Sequence, residues 1–129
     1  MASRAFDIRL TARWVARGLA AIFTLLWGSF FLHHLGDWYL RPEGFPPLWV
    51  TGLMVLHFGL LAGLLCGFRW ELAGGLLALA SGGTFFCLIG AWKIWFLWVP
   101  TLIPALVWVW LGLSRNPEAT TSQGASGSS

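Results

Sequence analysis

Between Trp14 and Leu113 the chain runs as four long apolar stretches separated by short polar breaks. The stretches cover about residues 14–35, 48–67, 72–91 and 95–113. Roughly 20 consecutive apolar residues are what a helix needs to cross the hydrocarbon core of a bilayer. Each stretch therefore predicts a transmembrane helix, and the first can continue to Leu40. The break at Gly36–Pro47 holds Asp37, Arg41 and Glu43, and Pro42, Pro46 and Pro47 prevent continuous helix there. The second break is Phe68-Arg69-Trp70-Glu71, and Lys93 marks the third. Pro100 and Pro104 are expected to kink or loosen the first half of the last helix.

The polar break at 68–71 makes its two flanking helices antiparallel neighbours. Gly59, Gly63 and Gly67 recur every four residues before it, and Gly74, Ala78 and Gly82 do so after it. Residues four apart share a helix face. Between helices in lipid the hydrophobic force is small, and close backbone approach at small residues takes its place. The two stripes therefore predict two helices packed groove to groove. The same stripes would also suit a partner helix. Arg69 and Glu71 read as solvated turn charges, with Trp70 as an interfacial anchor.

Composition changes the picture in one respect: it removes the soluble classes. Of 129 residues, 57% are hydrophobic and 10% charged, and the mean hydropathy is +0.73. Soluble domains carry about 25% charged residues. The net charge of +3 does not point to nucleic acid, because the basic residues gather at helix ends. Cys66 and Cys87 fall near opposite membrane faces and are poor disulfide partners.

Residues 1–13 form a basic lead-in, in which Arg9, Arg13 and Arg17 share one helical stripe and Phe6, Leu10 and Trp14 another. This pattern suits an interfacial helix ahead of the first span. Residues 114–129 are small, polar and aperiodic, and read as a disordered tail. With four spans both ends share a side. That side collects Arg4, Arg9, Arg13, Arg17, Arg69 and Arg115, against Arg41 and Lys93 on the other. The excess of arginine predicts that both termini are cytoplasmic.

Candidate chemistry rests on the histidines. His57 lies within an otherwise apolar span, and an ionisable group inside a membrane is a functional candidate by default. His33 and His34 approach its depth if the first helix extends. Two imidazoles facing each other in a bundle can ligate haem b or a metal; a neutral imidazole bonded to a neighbouring helix is the plainer account. A proton-coupled transporter needs a buried carboxylate. All five acids, Asp7, Asp37, Glu43, Glu71 and Glu118, fall at helix ends or in loops. Asp37 and Arg41 form an i, i+4 pair if that segment stays helical. No nucleophile constellation, phosphate loop, CxxC or HExxH occurs.

Glu43-Gly44-Phe45-Pro46-Pro47, Arg69-Trp70-Glu71-Leu72-Ala73-Gly74-Gly75, and Ile103-Pro104-Ala105 followed by Leu113-Ser114-Arg115 resemble a family of small bacterial four-helix integral membrane proteins of unknown function. The resemblance covers about Arg13 to Arg115, and the turn motif is its most specific part. His33-His34 and Trp38-Tyr39 are not part of the shared pattern. The resemblance implies a bacterial inner-membrane location and a four-helix layout, and brings no catalytic or binding residues.

The expectation is an all-α antiparallel bundle, non-enzymatic and without a resident cofactor. It would be embedded in the lipid bilayer as an accessory or assembly subunit, with other membrane subunits or copies of itself as partners. The alternatives are a haem or metal redox carrier, using His57 with His33 or His34, and a small transporter.

Overall fold

The computed structural model describes residues 2–41 and 43–115 and is all-helical. Its helices are α1 (Ala2–Tyr39), α2 (Leu48–Cys66), α3 (Glu71–Leu88) and α4 (Trp95–Leu113). Each is long and apolar enough to cross a membrane. Residues 116–129 of the expected tail lie outside the described residues.

α1 differs most from the sequence expectation. The basic lead-in and the first span are one uninterrupted helix of 38 residues. At about 1.5 Å per residue it measures about 57 Å, nearly twice the hydrocarbon thickness of about 30 Å. No proline breaks the run, and Gly18 alone does not end a helix. Ala16, Ala20, Phe23 and Trp27 form its buried stripe, while residues 2–11 are all exposed.

The helices alternate in direction and pack as a square in which each touches its neighbours in chain order and α4 closes on α1. The most extensive contact is α2 with α3. Glycine is the reason. A Cβ on Gly63 would collide with the Ala78 backbone, and one on Gly74 would collide with the backbone of Gly67. Gly59 faces Ser81, Gly67 faces the ring of Trp108, and Gly82 faces Leu60 and Leu102. Every position of both stripes thus meets a neighbour within this chain. α3 meets α4 in a similar manner: Gly75 abuts the Ala105 carbonyl and Val109, and Gly112 abuts Leu72. Trp108, fully buried, fills the centre of this half.

α3 ends at Leu88, short of residue 91, because Gly90 takes a left-handed conformation (φ 64°) that stops the helix. A 3-10 turn, Ala91–Ile94, then carries Lys93 into α4. α4 continues through both prolines. Next to them, the Thr101 hydroxyl donates to the Leu97 carbonyl (2.8 Å).

Candidate functional site: an aromatic cavity with two histidines

At the end of the bundle where α1 finishes and α2 begins, three helices enclose a cavity of about 350 Å³. Its wall on α1 is Trp27, Phe30, His34 and Trp38, a stripe of helical spacing that begins at the buried Trp27 and becomes exposed over Phe30, His34 and Trp38. α2 contributes Trp49, Val50, Leu53, Met54 and His57, and α3 contributes Phe85 and Ile89. The two imidazoles are the only ionisable side chains in this lining.

His57 is buried, with 4% of its surface exposed. Trp27 and Phe31 stand edge-on to it, with ring centroids at 5.8 and 5.4 Å, and Phe85 lies at 4.9 Å in a tilted stack. Among the described residues its Nε2 has no hydrogen-bond partner. An unpaired buried polar atom costs about 1–3 kcal/mol, so it is an unusual thing to keep in a core. Trp27 is held in place from the other side. Its Nε1 donates to Thr101 Oγ1 at 2.9 Å, and the Thr101 hydroxyl in turn donates a hydrogen bond to the Leu97 carbonyl. This relay joins α1 to α4 and sets the ring that backs His57.

His34 shares the cavity. Its Nδ1 lies 2.8 Å from the Phe30 carbonyl, so the neutral ring carries its proton on Nδ1 and leaves the Nε2 lone pair to a ligand. His33 is elsewhere. It is exposed, it does not line the cavity, and its Nε2 lies 3.2 Å from Asp37. Asp37 also pairs with Arg41 at 3.5 Å. The geometry thus brings together His34 and His57 and leaves out His33. Among the described residues no three His, Cys, Asp or Glu side chains gather as a metal-ligand set.

The opposite end of the bundle holds a second polar group. Glu71 is not a solvated turn residue: its side chain is 6% exposed. Arg13 Nε donates to Oε1, and Arg13 Nη2 and Arg115 Nη2 lie 3.5 and 3.3 Å from Oε2. Arg17 Nη2 donates to the Phe68 carbonyl at 3.1 Å. The carboxylate at the start of α3 is therefore clasped by a guanidinium from α1 and another from the turn just past α4. Arg69 and Trp70 do remain exposed. Helix counting places Arg13, Arg17 and Glu71 at one end of the bundle, and that signal was present in the chain. The burial of Glu71 was not. Trp27 likewise follows Ala16, Ala20 and Phe23 at helical spacing, but nothing in the sequence joins it to Thr101.

A family model described as Domain of unknown function (DUF7670) matches residues 4–119. No curated protein and no solved structure matches the chain.

Proposed function

We propose that this chain, which belongs to the DUF7670 family of unknown function, is a non-enzymatic accessory subunit that retains a lipid-soluble ligand in the cavity between α1, α2 and α3. The observation that carries this reading is a cavity of about 350 Å³, walled by aromatic rings and reached by two imidazoles. Small-molecule sites are concave, mostly apolar and furnished with a few polar groups. The ligand class that suits this wall is a flat, largely apolar molecule bearing a carbonyl or hydroxyl. Its ring would lie against Trp27, Trp49 or Phe85, and its polar atom would meet an imidazole nitrogen. The membrane is the bacterial cytoplasmic one, with both ends of the bundle's chain on the cytoplasmic side; the arginine excess at that end supports the orientation.

The test is organic extraction of the purified protein followed by mass spectrometry. An apolar compound should leave with the wild type and fall about tenfold in Leu53→Trp, which fills the cavity. Equal recovery from both proteins would end this reading.

One observation favours a second ligand, haem b. His34 and His57 line the same cavity, and axial imidazole pairs hold haem iron in helix bundles. Oxidised and dithionite-reduced absorbance spectra decide it. A haem band lost in His57→Ala assigns electron transfer, and a colourless sample from haem-replete cells removes it. The transporter reading draws the least support. The one buried acid among the described residues, Glu71, sits at a helix end between two arginines.

A further inference from the structure

The arginine end of the bundle carries a second concavity, of about 520 Å³, and its lining divides into two parts. Arg69, Trp70 and Glu71 at the turn and Arg115 just past α4 form its polar part, at the depth where headgroups lie. Leu72, Leu76 and Gly112 form an apolar floor. Leu76 lies one helical turn beyond Leu72, about 6 Å further into the bundle, so the floor runs along the direction that an acyl chain takes.

Charge at this end is unbalanced. Among the described residues Arg13, Arg17, Arg69 and Arg115 gather about the α2–α3 turn, and Glu71 is the carboxylate paired within this group. These five side chains leave three positive charges in excess. The donors are not used up either. Arg69 stacks over the Trp70 ring at 5.8 Å and makes no ion pair among the described residues. Among the described residues Arg17 Nε is buried without a partner, and Arg115 pairs with Glu71 through one nitrogen. Glu71 itself is neutralised from two sides, so it does not close the site to an anion.

We propose that this concavity binds one anionic phospholipid, its phosphate on Arg69 and Arg115 and an acyl chain along Leu72 and Leu76. Guanidinium forks match phosphate oxygens, and clusters of basic residues beside a span recognise anionic headgroups. A zwitterionic lipid brings its own cation and gains little from the excess charge. The site is separate from the histidine cavity and does not depend on what that cavity holds.

Native mass spectrometry of the full chain in detergent, titrated with phosphatidylglycerol or phosphatidylcholine, tests it. Phosphatidylglycerol adducts should exceed phosphatidylcholine adducts by about fivefold. Arg69→Gln, which breaks no ion pair, should remove most of that preference. Leu76→Trp, which keeps every charge and fills the floor, should weaken both lipids. Arg41→Gln, at the other end, should change nothing. Equal binding of the two lipids overturns the proposal, and so does an unchanged preference in Arg69→Gln. If inorganic phosphate displaces phosphatidylglycerol while Leu76→Trp has no effect, the site takes free phosphate and the lipid assignment falls.

Discussion

The two ends of the bundle are packed with different materials. Around the α2–α3 turn, Gly63, Gly67 and Gly74 let backbones meet directly, Trp108 fills the remaining space, and Glu71 ties three helices together through arginine. Toward the α1–α2 loop the contacts are aromatic: Trp27, Phe31, Phe85 and Phe86 lean on one another and on His57. Backbone contact through glycine leaves no room between α2 and α3, and the concavity at this end lies on the outer surface, along Arg69, Leu72 and Leu76. Rings meeting at centroid distances of about 5 to 6 Å pack this end, and beside them the histidine cavity opens between α1, α2 and α3. At one end α2 and α3 are closed on each other and the concavity lies at the surface; at the other the room lies between helices.

The comparison breaks most sharply at Gly74. In Gly74→Val the new Cβ meets the Gly67 backbone, and neither helix can yield without separating. A loss of about 3 kcal/mol or more is expected, read as a fall in thermal midpoint or in folded yield in detergent. The same substitution at Gly52, where a Cβ meets nothing within 4 Å, should change stability by less than about 0.5 kcal/mol. Equal effects at the two sites would mean that the glycine contact does not hold this end together.

Next comes the clasp. Glu71→Gln leaves Arg13 and Arg115 without their carboxylate, and Arg13 is largely covered. Breaking a buried pair from one side costs about 3–5 kcal/mol, and the exposure of the arginines should bring this nearer 2 kcal/mol. Arg115→Ala should cost less, because that side chain is 58% exposed. Denaturant titration of both variants orders them, and a larger loss in Arg115→Ala would refute the arrangement.

A smaller effect tests the ring end. Thr101→Val leaves Trp27 Nε1 without its acceptor and frees the ring that backs His57. Interhelical hydrogen bonds in membranes are worth about 0.6 kcal/mol on average, up to about 1.7 kcal/mol. Stability should fall by about that amount, and ligand recovery should fall with it. Unchanged recovery would separate Trp27 from the site.

Disulfide trapping adds a test of geometry alone. In a background with Cys66 and Cys87 replaced by serine, Gly59→Cys with Ser81→Cys should close within one chain, because the two Cβ positions face each other and a small separation of the helices brings them from 2.9 Å to the roughly 3.8 Å that a disulfide spans. Dimers joined between chains would assign the glycine stripe to a partner.

The chain by itself determined what short-range chemistry determines. Apolar run length set four spans, the polar break at 68–71 set the hairpin, and the four-residue spacing of Gly59, Gly63 and Gly67 put small residues on one face. Periodicity names a face, but it does not name the neighbour that the face meets. Which histidine would share a cavity with His57 depended on how far α1 runs and on its rotation; only the packed structure set the exposed His34 at the cavity and His33 beside Asp37. Glu71 and Arg13 are 58 residues apart, and Trp27 and Thr101 are 74 apart. Such pairs leave no local pattern. They form because the square closes α4 onto α1 and sets the start of α3 beside both, and tertiary structure alone decides that.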